Sequence, residues 1–194
     1  MGTQEQVSSL SELGKLYGSD KPVQYTPFYD LLFTSMRERV KSVFEIGIFN
    51  GGSLRMWRDY FPNAHIYGMD ILEERIFQEE RIKTFQGDQA SLAAFGPALK
   101  YAPFDLIIDD GSHAPHHQVS NAEYLMPYLK PGGLYIIEDI NPPVLEVSSR
   151  LPFEHTIVEH HPLGIAKTST YMFGSCLGAG RCILIRRPDG EIEN

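Results

Sequence analysis

Two acidic pairs in the middle of the chain each follow an apolar, strand-like run. The first pair is Asp109-Asp110, in F-D-L-I-I-D-D-G-S-H, and the second is Glu138-Asp139, in P-G-G-L-Y-I-I-E-D, with His113 between them. If the two strands are parallel neighbours, these carboxylates meet near the histidine. Like charges at such distances raise one another's pKa or recruit a cation. The residues therefore predict a divalent-metal site with a general base, although a lone histidine beside a helix start is more often structural.

The elements that must position these residues follow from the alternation of apolar runs and helical patterns. Strand-like segments occur at Ser42–Ile48, His65–Asp70, Ile82–Gln86, Phe104–Asp109, Leu134–Glu138, Phe153–His160 and Arg181–Arg187. Helical patterns occur at Ser9–Tyr17, from Gly51 onward, at Ser91–Leu99 and at Pro115–Leu129. Strands that alternate with helices indicate βαβ units and a parallel sheet covered on both faces. We therefore predict an α/β fold with a doubly wound, mostly parallel seven-stranded sheet, helices on both faces and an antiparallel last strand.

The length of 194 residues suits one domain spanning residues 1–194. Residues 1–40 are predicted to form an N-terminal helical strap, and residues 141–180 to form loops around an acceptor site. Lys21 and Tyr25 lie in a Pro-interrupted part of the strap. They either pack on the core or point into a ligand cleft, and we retain both as candidate cofactor-binding residues.

Composition limits the partners of the protein. Its net charge is −8, and its longest basic run is the pair Arg186-Arg187, which argues against nucleic acid and anionic membranes. No apolar run approaches the roughly 20 residues that a membrane span needs, and the polar N-terminus has no signal-peptide pattern. Cys176 and Cys182 are expected to be reduced thiols. These features together predict a cytoplasmic protein.

The glycine-rich segment E-I-G-I-F-N-G-G-S indicates which cofactor the first half binds. A dinucleotide fingerprint needs a glycine where Phe49 stands, because the backbone must approach a pyrophosphate there. S-adenosylmethionine has no phosphates and fits better. Asp70 and Asp88 close the next two strands and would accept from its ribose hydroxyls and adenine amine, while Gly47 and Gly51 would let the backbone close over its methionine part. Each acid alone also fits a helix N-cap.

Several blocks of sequence carry a family resemblance: G-G-S-L-R-M-W-R-D-Y-F-P, I-Y-G-M-D-I, R-I-K-T-F-Q-G-D-Q, the two acidic blocks and the upstream L-Y-G-S-D-K. Over roughly residues 13–140 the chain resembles class I S-adenosylmethionine-dependent methyltransferases. Within these it is most similar to the Mg-dependent sugar O-methyltransferases of macrolide and polyketide biosynthesis, of the mycinamicin 2''-O-methyltransferase type. Its glycine loop is shorter than theirs, and we expect no N-terminal auxiliary domain, so the acceptor pocket is the least transferable part.

The resemblance implies a Rossmann-like methyltransferase fold that uses S-adenosylmethionine and Mg²⁺. The implied reaction methylates a hydroxyl of a small natural product, such as a sugar or polyketide glycoside, and a homo-oligomer is left open. The implied metal ligands are Asp110, Glu138 and Asp139, the implied base is His113, and the implied cofactor-binding residues include Glu45, Gly47, Asp70 and Asp88. Asp109 should point away from Asp110, and we keep it as a candidate cofactor contact.

Three other functions stay open at the level of the sequence. A catechol-type O-methyltransferase would use the same metal chemistry on an aromatic diol. A related hydroxylase-like protein is the second alternative, and a non-catalytic cofactor-binding protein is the third. The clustered charge of the acidic pairs argues against the third, because buried like charges are costly to retain without a use.

Overall fold

A nine-stranded sheet organises the molecule. The computed structural model describes residues 8–21, 25–140, 144–160, 166–168 and 181–189. Its strands are β1 (Ser42–Ile46), β2 (His65–Asp70), β3 (Gln78–Glu79), β4 (Ile82–Gln86), β5 (Phe104–Asp109), β6 (Leu129–Ile137), β7 (His155–His160), β8 (Ala166–Thr168) and β9 (Arg181–Arg186). They lie side by side in the order β3-β4-β2-β1-β5-β6-β9-β7-β8.

The strand directions confirm the predicted mostly parallel sheet. β1 pairs in parallel with β2 and β5, β2 pairs in parallel with β4, and β5 with β6. β9 is antiparallel to both β6 and β7, as predicted for the last strand. The number of strands is larger than the predicted seven, because the short strands β3 and β8 extend the two edges of the sheet. Each is only two or three residues long and has little sequence signal.

Six α-helices accompany the sheet within the described residues. They are α1 (Leu10–Tyr17), α2 (Tyr25–Phe33), α3 (Gly52–Tyr60), α4 (Gly96–Leu99), α5 (Pro115–Leu125) and α6 (Val144–Arg150). None of the helices in the described part of the chain is long and apolar enough to cross a membrane.

Two of these helices differ from the sequence prediction. α2 forms in a segment that was expected to be interrupted by proline. Pro27 is the third residue of this helix, and N–H groups in the first helical turn have no acceptor within the helix, so the N–H that proline lacks is not missed there. α6 replaces part of the predicted acceptor loops. Residues 141–143, 161–165 and 169–180, which complete those loops, lie outside the described residues, as does Cys176, whereas Cys182 is a buried free thiol.

The sheet separates two apolar cores because successive side chains of a strand point to opposite faces. All five residues of β1 are buried. Val43 packs in one core with Trp57 and with Tyr29 of the N-terminal strap, whereas Phe44 packs in the other core with Leu125. The strap is therefore part of one core, and any polar residue of the strap that lies there must find partners within it.

Residues Gly18 to Lys21, called the 18–21 segment below, are the part of the strap that contacts the glycine-rich segment after β1. Gly18 ends α1 in the left-handed conformation (φ 61°), and its carbonyl accepts from Asn50 Nδ2 at 2.7 Å. Gly52 lies so close that a Cβ there would stand 2.7 Å from the carbonyl oxygen of Tyr17 and 2.8 Å from the backbone nitrogen of Ser19. The position of the segment thus depends on a missing side chain.

A Gly52→Ala variant tests this close approach. The added methyl group must displace backbone atoms, so we expect a loss of about 1–3 kcal/mol in the free energy of unfolding, as for overpacking in a core. Urea denaturation of both proteins measures it. Gly96→Ala is the matched control, because a Cβ at Gly96 meets nothing within 4 Å and should be neutral or slightly stabilising. Equal stability of the two variants would contradict the proposed contact.

Candidate active site

A cavity of about 310 Å³ opens at the carboxyl ends of the parallel strands, where ligands of doubly wound sheets bind. Its size lies at the small end of the range for small-molecule sites. Six of the predicted site residues line it, namely Gly47, Asp70, Asp88, Asp110, His113 and Asp139. The segments that follow five different strands therefore converge on one space, as expected from the sequence.

Three of the lining residues form a group suited to a metal ion. One ligand atom from each of Asp110, His113 and Asp139 can be chosen so that all three lie within 4.8 Å of one another. His113 and Asp139 have left-handed backbones, with φ of 55° and 48°. His113 Nδ1 is buried and has no hydrogen-bond partner among the described residues. A buried nitrogen without a partner is costly, so this atom is available for a ligand or a proton.

Glu138, which the sequence predicted as a metal ligand, lies in the core beside the cavity. It is 1% exposed and is not among the three residues of the metal-suited group. Its two oxygens accept from Lys21 Nζ at 2.8 Å and from the hydroxyl of Tyr29 at 2.7 Å. The side chain is therefore satisfied inside the core, behind the wall of the cavity.

Lys21 is the centre of a buried ionic cluster. Its Nζ lies 2.9 Å from Glu45 Oε1, 3.0 Å from Asp110 Oδ2 and 2.8 Å from Glu138 Oε2. Glu45 also accepts from Trp57 Nε1 at 3.0 Å. Lys21 and Glu45 were candidate cofactor-binding residues, but in the structure neither lines the cavity, and both hold the strap to the sheet instead.

The strands bring these acids together by the two-residue period of their side chains. Ile108 and Ile136 belong to the core that contains the strap. Asp110 and Glu138 stand two residues further along, and thus on the same face of the sheet. Glu45 on β1 reaches that face as well, and β1, β5 and β6 are neighbours. One ammonium group can therefore reach all three carboxylates.

Burial and the crowding of like charges shift the pKa values in this cluster. Burial, together with the charges of Asp110 and Glu45, raises the pKa of Glu138 to about 8, although the Lys21 ammonium acts in the opposite direction. Burial also raises the pKa of Glu45 and of Asp110. Burial alone lowers the pKa of Lys21, but the three carboxylates outweigh it and keep the amine protonated.

A Lys21→Met variant tests the structural weight of the cluster. It leaves three buried acids without their cation, and breaking a buried ion pair typically costs about 3–5 kcal/mol. We expect a loss of that size in the free energy of unfolding, partly restored by adding Glu138→Gln. Lys15→Met, at an exposed position of α1, is the control. A Lys21→Met protein as stable as this control would show that the ion pairs contribute little.

Asp109 points to the opposite face, as the sequence predicted, and does not line the cavity. It is fully buried and lies 3.4 Å from Gln89 Nε2, from Asn121 Nδ2 and from the hydroxyl of Tyr135. Burial raises its pKa to about 6, although the hydrogen bonds of Asn121 and Gln89 act in the opposite direction. Its contacts tie β5 to α5 and β6, which leaves no cofactor contact for it in this structure.

Tyr25 and Gly51 also lie outside the lining of the cavity. The Tyr25 hydroxyl donates to Asp139 Oδ1 at 2.8 Å and so positions a lining residue from behind. Gly51 is the N-cap of α3 with φ 77°, and a Cβ there would stand 2.7 Å from the ring of Phe77. Both residues shape the walls of the cavity and do not face its space.

The predicted cofactor side of the cavity is built around Asp70. Its Oδ2 accepts from the backbone amides of Ile48 at 2.9 Å and Phe49 at 3.3 Å and from Arg75 Nη1 at 3.2 Å. Its Oδ1 accepts only from the Leu72 amide, at 3.0 Å, among the described residues. Burial raises the pKa of Asp70, but the amides and Arg75 outweigh it, so the carboxyl stays ionised. Oδ1 thus retains a free lone pair toward the cavity.

Asp88 and Gly47 complete this side. Asp88 is exposed at the end of β4, where its Oδ1 accepts from the Ala90 amide at 2.9 Å. Gly47 has φ 94°, and a Cβ there would collide with the carbonyl oxygen of Asp110. Only a glycine therefore lets the segment after β1 pass this close to the end of β5.

Sequence reasoning missed four residues of the site. Asp20 and Arg75 line the cavity, Gln89 Oε1 accepts from the Ser112 amide at 2.6 Å, and Tyr29 holds Glu138. Signals for two of them existed. Tyr29 follows Tyr25 by one helical turn, and Asp20 adjoins Lys21. Arg75 lies in a short turn without periodic pattern, and nothing local indicated its contact.

Comparison with known proteins supports the fold. A family model described as "Methyltransferase domain" matches residues 44–140. The chain is 42% identical to mycinamicin VI 2''-O-methyltransferase of Micromonospora griseorubida over 142 residues, which cover 68% of this chain and 36% of that protein. It is 43% identical to demethylmacrocin O-methyltransferase of Streptomyces fradiae over 124 residues, covering 60% of this chain and 31% of the relative.

A solved structure adds a spatial match. The methyltransferase MycE from the mycinamycin biosynthetic pathway, in complex with Mg, SAH and mycinamycin VI, superposes with a TM-score of 0.65. The sequence identity is 41%, and the match covers 69% of this chain and 38% of MycE. The chain thus spans about a third of the length of the curated relatives that it matches.

Proposed function

The chain belongs to the methyltransferase-domain family, and we propose that it transfers a methyl group from S-adenosylmethionine to a hydroxyl group with the help of Mg²⁺. The observation that carries this proposal is the group of Asp110, His113 and Asp139 beside the glycine-rich segment, in one cavity. A cation site and a cofactor cradle then lie within reach of one small ligand. The Mg and SAH bound in MycE support both assignments.

The donor set fits a hard divalent cation. Asp110 and Asp139 provide the oxygen ligands that Mg²⁺ prefers, and the unpartnered Nδ1 of His113 stands beside them. We assign the cation to Asp110 and Asp139, because the oxygens of Glu138 already accept from Lys21 and Tyr29. When bound, the cation would lower the pKa of a hydroxyl held at its open positions.

His113 is proposed as the general base. Its Nδ1 would take the proton of the acceptor hydroxyl as the oxygen attacks the sulfonium methyl group, in a displacement that needs no covalent enzyme intermediate. Asp110 and Asp139 would hold the cation that keeps this oxygen beside the nitrogen, and a fixed attack geometry supplies a large part of the rate. The left-handed backbone of His113 sets the direction of the imidazole before any ligand arrives.

The cofactor is proposed to lie across the strand ends from β4 to β5. Asp88 would accept from its adenine amine, and the free lone pair of Asp70 Oδ1 from its ribose diol. Gly47 lines the cavity between these acids and Asp110, and its backbone would border the atoms near sulfur. The sulfonium then comes next to the metal-suited group, where the acceptor hydroxyl must stand.

The acceptor is proposed to be a sugar hydroxyl of a glycosylated natural product. The support comes from relatives named for macrolide substrates and from the mycinamycin VI bound in MycE. A sugar diol suits a cation with two open positions. We propose that residues 141–180, which follow the part matched by the family model, wall this acceptor.

A calorimetric experiment tests the cofactor. Titration of the protein with S-adenosylmethionine and with NAD, each with Mg²⁺ or with EDTA, should show binding of S-adenosylmethionine only.

A His113→Asn variant should keep this binding but lose about 10²–10⁴-fold in methyl transfer to demethylated macrolide glycosides, the usual contribution of a general base. Asparagine is chosen because it tolerates the left-handed backbone.

The controls for this experiment are the exposed His116 and the choice of dinucleotide. His116→Asn should transfer methyl groups at the wild-type rate. NAD binding in the absence of S-adenosylmethionine binding would refute the proposed reaction, and an unchanged rate in His113→Asn would remove this residue as the base.

Metal binding can be measured without any turnover. Manganese titration followed by electron paramagnetic resonance should give an affinity at least tenfold lower for Asp139→Asn, which keeps the size of the side chain and suits φ 48°. Glu138→Gln should bind manganese nearly as well as the wild type, because Glu138 is held by Lys21. Glu123→Gln, at an exposed position of α5, controls for the loss of one charge. A larger loss in Glu138→Gln than in Asp139→Asn would contradict our ligand assignment.

A further inference from the structure

The 18–21 segment forms one wall of the cavity and has a fixed position. At one end, Asn50 Nδ2 donates to the Gly18 carbonyl, and the missing side chain of Gly52 allows backbone contact. At the other end, the Lys21 side chain enters the core and pairs with three carboxylates. The residues between these two anchors cannot move away from the cavity without breaking one of them.

Asp20 lies between the anchors and belongs to the lining of the cavity. It is exposed, whereas its neighbour Lys21 is 6% exposed, so the two side chains leave the segment in different directions. The described residues offer the Asp20 carboxylate neither an ion pair nor a hydrogen bond. Asp20 shares the lining of the cavity with Asp110 and Asp139. A carboxylate that is held beside other carboxylates, and that pairs with no cation among the described residues, is suited to bind a positively charged group of a ligand.

The strand order determines which part of the cofactor reaches Asp20. Asp88 follows β4, Asp70 is the last residue of β2, Gly47 follows β1 and Asp110 follows β5, and these strands are consecutive in the sheet. Adenine at Asp88 and ribose at Asp70 direct the rest of the cofactor toward β1 and β5. Beyond the sulfur, that end carries an amino-acid group with an ammonium. The 18–21 segment stands on this side, against Asn50 and Gly52 at the start of α3.

We propose that Asp20 binds the α-ammonium group at the amino-acid end of the cofactor. This inference rests on the proposed function and names a binding residue that was not among the candidates from the sequence. It also gives the N-terminal strap a role in ligand recognition, because Lys21 holds the 18–21 segment in place and Asp20 binds the ammonium group of the cofactor. A carboxylate and an ammonium in a partly enclosed cavity form a charge-assisted hydrogen bond, about twice as strong as a neutral one.

Asp20 could instead be a further metal ligand. The geometry favours the ammonium, because the described residues contain a metal-suited group of Asp110, His113 and Asp139 that does not include Asp20. The two roles make opposite predictions for metal affinity, so one set of variants separates them.

The test compares two ligands that share the thioadenosine part. S-adenosylhomocysteine carries the amino-acid end, and 5'-methylthioadenosine lacks it, and both are uncharged at sulfur. Isothermal titration calorimetry with Asp20→Asn should show binding of S-adenosylhomocysteine weakened about tenfold or more. Binding of 5'-methylthioadenosine and of manganese should stay at the wild-type values. Glu80→Gln, an exposed acid in the turn before β4, should equal the wild type with every ligand.

Each departure from this pattern has a defined meaning. Unchanged S-adenosylhomocysteine binding by Asp20→Asn would overturn the inference while leaving the proposed function intact. An equal loss for both ligands, or a loss of manganese binding, would assign Asp20 another role and overturn it as well. If the wild-type protein bound neither nucleoside, the proposed function itself would fail, and the inference with it.

Discussion

Three carboxylates from three neighbouring strands share one buried ammonium group, and the arrangement of the site depends on this contact. Glu45, Asp110 and Glu138 stand at the carboxyl ends of β1, β5 and β6, and Lys21 reaches them from the strap. Ionised groups enter a protein interior only when they are paired. Lys21 therefore cannot leave without exposing or protonating the acids, and the strap is held to the sheet by electrostatics as well as by the packing of Tyr29 and Trp57.

The charge balance of this cluster favours the proposed cation. Three ionised carboxylates with one ammonium leave two negative charges, and Asp139 adds another nearby. The interior partly removes the excess by raising the pKa of the buried acids, with Glu138 reaching about 8. Asp110 contacts Lys21 through Oδ2 and also lines the cavity. It therefore belongs both to the buried ionic cluster and to the metal-suited group in the cavity. A divalent ion on the cavity side would balance the negative charge that exceeds the single positive charge of Lys21.

The sequence predicted those features that depend on local patterns. Seven strands, the acids at their carboxyl ends and the opposite directions of Asp109 and Asp110 follow from hydrophobic runs and from the two-residue period of a strand. The partners of Lys21 could not be predicted, because they lie 24 to 117 residues away in sequence and no local pattern encodes such contacts. The contact between Glu138 and Lys21 could not be predicted for the same reason. The sequence alone does not show that a buried lysine of the strap reaches the acid at the end of this strand.

The backbone itself fixes the reactive side chains at the rim of the cavity. Phe49, His113 and Asp139 line it and have positive φ values of 49°, 55° and 48°, a conformation that costs non-glycine residues about 1–3 kcal/mol each. Such a cost persists only where the surroundings impose the conformation. Here β1, β5 and β6 end beside one another in register, so the chain must turn sharply at each end to leave the sheet. The turns that clear the strand ends also direct His113 and Asp139 into the cavity. The sharp turns that the chain makes at the ends of these strands thus pre-organise the proposed base, His113, and the proposed metal ligand, Asp139.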